Sequence, residues 1–190
     1  ILSIGEWVIN EACRQMREWI DVGQGHWTIA VNISALQFSH ANLVETVRSA
    51  LAKHGVPPAC LTIEVTESTA MRDAEASLTV LKRLSDLGVT ISIDDFGTGY
   101  SSLLYLKRLP ATELKIDRGF VNQLDNDNED AAIVSAIVAL AQQLNLRIVA
   151  EGVETAAQQK FLTGLGCDSL QGFLLGKPMP ATEFLEHAAT

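Results

Sequence analysis

Cysteine is scarce in this chain. Cys13, Cys60 and Cys167 are three scattered residues in 190, odd in number. That excludes a disulfide framework and any CxxC metal spacing, and it suits a reducing, cytoplasmic compartment. Basic charge is also short: 14 Lys+Arg stand against 23 Asp+Glu, a formal net charge of −9. So acidic a surface repels phosphate backbones, which excludes a nucleic-acid polymer or an anionic membrane surface as partner. Aromatic residues make up 6%. With no basic patch beside them, Trp7, Trp19 and Trp27 are expected in the core rather than on a base-stacking platform. No apolar run is long enough to span a bilayer; the longest, Ala131 to Leu144, is broken by Ser135, Gln142 and Gln143. No basic-then-apolar leader opens the chain, so no signal peptide is expected. His26, His40, His54 and His187 are isolated. They are expected to pack or to face solvent.

What is present is a regular alternation. Runs rich in β-branched residues stand at Thr28–Ile33, Leu61–Val65, Val89–Ile93, Glu113–Ile116 and Arg147–Ala150, with a weak sixth at Ser169–Leu170. Between them lie segments of helical period: Glu6–Trp19, Ala41–His54, Ala74–Leu87, Ser101–Arg108, Ala131–Leu144, Ala156–Leu165 and Ala181–Ala188. Ser3 with Glu6 reads as a capping box, and Gly55 and Gly88 as helix C-caps. Five prolines, at 57, 58, 110, 178 and 180, mark turns. Nearly continuous apolar strands alternating with helices imply an α/β fold with a parallel sheet. Six strands are two short of a (β/α)8 barrel. Either the sheet is open or the first part of a barrel is missing.

Each strand run stops at a residue with metal-binding or proton-handling chemistry. Asn32 follows the first and Glu64 interrupts the second, with Glu67 three residues on. Asp94 and Asp95 end the third, Lys115 and Asp117 the fourth, Glu151 the fifth, and Gln171 and Gly172 the sixth. One acid after one strand is most often a helix N-cap. Convergent oxygen ligands at consecutive strand ends mean more, because active sites of α/β folds assemble there. A carboxylate and amide set without histidine or cysteine suits Mg²⁺ or Mn²⁺. Adjacent Asp94 and Asp95 can bridge two cations, and Lys115 can hold or deprotonate an attacking water. Metal-dependent phosphoester hydrolysis follows as a class. The substrate does not. Phe96–Gly97–Thr98–Gly99–Tyr100–Ser101–Ser102 matches neither GxGxxG nor a P-loop and reads as a strand-to-helix turn or a mobile lobe sensing the site. The wide apolar arc of Ala131–Leu144 fits core burial or a second subunit.

In series these residues resemble the EAL domain, the bacterial family that hydrolyses the second messenger cyclic di-GMP. Carrying the resemblance are Asn32–Ile33–Ser34–Ala35 with Gln37–Phe38; Glu64–Val65–Thr66–Glu67; Asp94–Asp95–Phe96–Gly97–Thr98–Gly99–Tyr100–Ser101–Ser102; Lys115–Ile116–Asp117–Arg118; Ala150–Glu151–Gly152–Val153–Glu154–Thr155; and Gln171–Gly172–Phe173 with Lys177–Pro178. The resemblance implies a modified (β/α)8 TIM-like barrel with one antiparallel strand. It implies two Mg²⁺ or Mn²⁺ ions and hydrolysis of one phosphodiester to linear pGpG. Asn32, Glu64, Asp94, Asp95 and Glu151 would be metal ligands, and Lys115 would orient the water. Glu67 would brace the loop that begins at Asp94; Gln171, Asp117 and Gly172 would meet the substrate. A catalytically silent cyclic di-GMP receptor and a dimerisation module are the competing functions. The tripeptide Glu-Ala-Leu itself does not occur in the chain. The expectation is a single domain over residues 1–190, truncated at its N-terminus with about six of eight strands. Its parent would be homodimeric, carry sensory or diguanylate-cyclase-like domains, and stand free or anchored to the inner membrane.

Overall fold

A computed structural model describes residues 1–99, 103–124 and 128–188. Tyr100, Ser101 and Ser102 of the quoted motif lie outside the described residues. The strands are β1 (Ile29–Asn32), β2 (Leu61–Thr66), β3 (Thr90–Phe96), β4 (Glu113–Ile116), β5 (Arg147–Ala150) and β6 (Ser169–Leu170). The helices are α1 (Leu2–Asp21), α2 (Ala35–Phe38), α3 (Leu43–His54), α4 (Glu67–Met71), α5 (Ala74–Ser85), α6 (Leu103–Leu106), α7 (Arg118–Gln123), α8 (Asn128–Gln143), α9 (Ala156–Leu165) and α10 (Ala181–Ala188). All six expected strands are present. The short helices α2, α4 and α7 were not expected, because four to six residues are too few to display a 3.6 period. Caps mark all three: Ser34 accepts from the Gln37 amide, Thr66 from the Thr69 amide and Asp117 from the Gly119 amide.

The chain divides into two compact units, Ile1–Val65 with Thr79–Ile91 and Pro178–Thr190, and Thr66–Leu78 with Ser92–Lys177. In the first, β1 and β2 pair in parallel, with Asn32 opposite Glu64. Helix α1 packs on α3 and β1. It buries Ile9, Ala12, Cys13 and Met16, spaced at three and four residues, as an amphipathic helix must. Gly55 ends α3 in the left-handed conformation at φ +61, as expected of a C-cap. Ser3 does not cap α1: the helix already begins at Leu2, its N-cap is Ile1, and no side chain bonds the orphan amides. Trp7 is not core either. It faces outward and is 64% exposed, and Trp19 and Trp27, which stack edge-on at 5.4 Å and both meet Phe184, are only half-buried.

In the second unit β3, β4, β5 and β6 pair in parallel and in chain order. No antiparallel pair occurs among the described residues. All four residues of β4 are buried, as a central strand covered on both faces requires. Helix α8 packs against β4 and β5 through Val134, Ile137, Val138 and Ala141. Ile133, on the same expected arc, is 41% exposed, so the buried stripe is narrower than the apolar one. Thr155 and Gln158 form a capping box that starts α9, and Gly166 ends it at φ +90. Leu114 on β4 is fully buried. Leu114→Ala is expected to cost about 2–5 kcal/mol, read as a lower urea midpoint at unchanged slope.

Candidate active site

The geometry of the site starts from a break in strand register. Ile93 pairs with Leu114, but the next pair is Phe96 with Ile116, so β3 holds one residue more than β4 between them. In a regular pleat Asp94 and Asp95 would point to opposite faces. The bulge places Asp95 at φ +54, in the left-handed region, and re-aims its carboxyl. Carboxylate oxygens of Asp94, Asp95 and Glu151 consequently lie within 4.8 Å of one another. The Asp95 amide also donates to Asp94 Oδ1 at 3.0 Å.

Lys115 sits against this cluster. Its Nζ lies 2.6 Å from Glu151 Oε1 and 3.6 Å from Asp94 Oδ1, and the residue is 4% exposed. Glu151 follows β5, and its amide donates to the carbonyl of Ile116 at 3.2 Å. Burial, then the charges of Asp94 and Asp117, push the Asp95 carboxyl above the usual carboxylate range. Three carboxylates thus crowd one ammonium, and like-charge repulsion favours a cation between them. The donors are all hard oxygens, so the set fits Mg²⁺ or Mn²⁺ and not a thiophilic metal.

Around the cluster the loops are held by buried side chains and close backbone approaches. Glu67 is 2% exposed, and its Oε2 accepts from the Gly97 amide at 2.8 Å. Gly97 has φ +98, and a Cβ there would fall 2.9 Å from the Phe120 ring. Asp117, half-buried, accepts from the Gly119 amide at 2.8 Å. Gln171 is exposed; its amide donates to Ala150 and its carbonyl accepts from Val153. A Cβ on Gly172 would stand 2.2 Å from the Val153 amide nitrogen and carbonyl oxygen, so only glycine fits. A pocket of ≈ 280 Å³ opens beside Glu151, with Arg118, Asn122, Glu154, Gln171 and Phe173 on its walls. Sequence reasoning missed the i, i+4 pair Arg118 and Asn122 as wall residues, because the short helix that gives them a common face was not recognised. In the first unit Asn32 and Glu64 form their own pair: Asn32 Nδ2 donates to Glu64 Oε2 at 2.9 Å, and Glu64 is 5% exposed.

The family described as the EAL domain matches residues 1–178. The chain belongs to the EAL domain family. Its sequence is 70% identical over 189 residues to the bifunctional diguanylate cyclase/cyclic di-GMP phosphodiesterase MucR of Pseudomonas aeruginosa, covering 100% of this chain and 28% of MucR. It is 44% identical over 178 residues to the cyclic di-GMP phosphodiesterase NbdA of the same organism, covering 94% of this chain and 23% of NbdA. Among solved structures it superposes on the MucR phosphodiesterase in complex with c-di-GMP, with a TM-score of 0.95 and 71% identity. That match covers 97% of this chain and 74% of the solved one. The EAL domain here therefore spans about a quarter of the length of the two curated relatives. Its six parallel strands and flanking helices are those of the TIM-like EAL fold, truncated relative to the full eight-stranded barrel. No helix among the described residues is long and apolar enough to cross a membrane.

In EDTA, Lys115→Met in this EAL domain is expected to lower stability by about 3–5 kcal/mol, because Asp94 and Glu151 lose their buried counter-charge. Mn²⁺ is expected to restore more stability to the variant than it adds to the wild type. Urea melts with and without the ion check both. A variant as stable as wild type in EDTA would show that the ammonium does not balance the cluster.

Proposed function

We propose that this EAL domain is the catalytic part of a metal-dependent phosphodiesterase that opens one phosphodiester bond of cyclic di-GMP and yields linear pGpG. The observation that carries the reading is the convergence of Asp94, Asp95 and Glu151 on buried Lys115. The names of MucR and NbdA, and the c-di-GMP held in the solved MucR structure, support the substrate.

Asp94, Asp95 and Glu151 would hold Mg²⁺ or Mn²⁺. When bound, such ions polarise phosphoryl oxygens and lower the pKa of water toward neutrality. The chain's own groups do the rest. Lys115 orients the attacking water, and its ammonium offsets the negative charge that grows on the phosphoryl oxygens. Its contact with Glu151 keeps both groups pointed at the same spot. Glu67 fixes the loop after β3, and with it the approach of Asp95, through the Gly97 amide. Gln171, Gly172 and Asp117 meet the substrate. The domain works in the cytoplasm as a homodimer, beside sensory or diguanylate-cyclase-like domains of its parent. The bifunctional name of MucR and the small share of each relative that is matched support those neighbours.

Chromatography of cyclic di-GMP incubated with the full-length protein tests the reading. Linear dinucleotide is expected with Mg²⁺ or Mn²⁺ and none in EDTA, and Asp94→Ala is expected to abolish it. If folded wild-type protein binds cyclic di-GMP and forms no product, the domain is a silent receptor and the proposal falls.

A further inference from the structure

Glu151 stands at the head of a five-residue loop, Glu151 to Thr155, between β5 and α9. Little in its own sequence fixes its shape. Gly152 is left-handed at φ +72, a conformation glycine adopts freely among many others. The shape is imposed from outside, at three places. The Glu151 amide is tied to the end of β4. Val153, fully buried, donates to the Gln171 carbonyl at 3.0 Å and accepts from the Leu174 amide at 3.0 Å. The third tie is a side chain. Gln158, in the first turn of α9, is 3% exposed, and its Oε1 accepts from both the Glu154 amide at 2.8 Å and the Thr155 amide at 3.0 Å.

We propose, resting on the metal-dependent reading above, that Gln158 is a positioning residue for the metal centre. One carbonyl oxygen collects the last two amides of the loop and anchors its downstream end to α9. The bonds to Ile116 and to Gln171 and Leu174 hold the rest, so the loop has no free end through which the Glu151 carboxylate could drift from Lys115 and Asp94. Removing the acceptor takes the side-chain partner from two amides just ahead of α9. The loop then regains the freedom Gly152 allows. Glu151 pays the consequence as a ligand, although Gln158 touches no reacting atom. An ordinary capping role predicts something different: lost stability, with no effect on the metal centre of the folded protein.

Mn²⁺ titration of the full-length protein, followed by electron paramagnetic resonance of the free ion, separates the two. The site's signal is the binding that Asp94→Asn removes. Gln158→Met keeps the length of the side chain and deletes the acceptor; it is expected to weaken Mn²⁺ binding by about tenfold or more. Gln158→Glu keeps an acceptor at the same place and is expected to stay within about twofold of wild type, as a capping-box glutamate would. Leu162→Ala, in the same helix and fully buried, is expected to lower the melting temperature and leave Mn²⁺ binding within about twofold. Should Gln158→Met fold poorly, Gln158→Ser takes its place in the comparison. Unchanged Mn²⁺ binding in the acceptor-less variant, or equal weakening by Leu162→Ala, overturns the positioning role and leaves the phosphodiesterase reading standing. Wild-type protein with no Asp94-dependent Mn²⁺ binding overturns both.

Discussion

Negative charge gathered in a small space is the constraint on which the rest of this structure depends. Three carboxylates offer oxygens within 4.8 Å of one another, and a single buried ammonium stands among them. Such an arrangement is unstable by itself; burial first, and then the charges of Asp94 and Asp117, raise the affinity of Asp95 for its proton. The surrounding polypeptide is arranged to hold the repelling groups in place. Buried Glu67, Gln158 and Val153 bind the loops between strands and helices at their amides and carbonyls, leaving the carboxylates to face one another. A fold organised in this way uses its hydrophobic core mainly as a mount: β4, buried on every residue, carries Lys115 to the one position where both Asp94 and Glu151 reach it.

Two departures from regular geometry make the convergence possible. The bulge in β3 sets Asp94 and Asp95 on a common side, at the expense of a left-handed aspartate. The glycines after β3 and β5 let the backbone pass where any side chain would collide, at Phe120 for Gly97 and at Arg118 for Gly152. Both departures stand next to the acids that they serve. Strain of this kind is commonly stored where chemistry happens, and here its location coincides with the cluster.

Much of this was legible in the residues. The six strands could be read from β-branched runs, and acids at successive strand ends pointed to an oxygen-rich metal site because so few functions need them there. What stayed hidden was local and short. The Ser3–Glu6 spacing imitates a capping box, yet the bond from the Gly5 amide to the Ile1 carbonyl starts α1 ahead of it, at Leu2. Trp7 has the composition of a core residue and the address of a surface one, since helical period does not say which face of α1 is covered. The bulge has no periodic signature at all. Alternation along β3 would have parted Asp94 from Asp95, and only pairing with β4 reveals the extra residue. Arg118 and Asn122 escaped for a related reason: a six-residue helix gives two side chains a shared face without giving the sequence a recognisable period.

Gly172 illustrates how such a site limits its own evolution. With the Val153 backbone 2.2 Å from where a Cβ would stand, the segment bearing Gln171 and the loop bearing Glu151 behave as a single mechanical part. A lineage drifting toward a new ligand cannot reshape one wall of the pocket there and keep the other. It must vary residues whose side chains project from that joined piece, such as Phe173, or those across from it on α7. Diversity in the pocket should therefore concentrate around an invariant joint, as tool heads vary on a common shank.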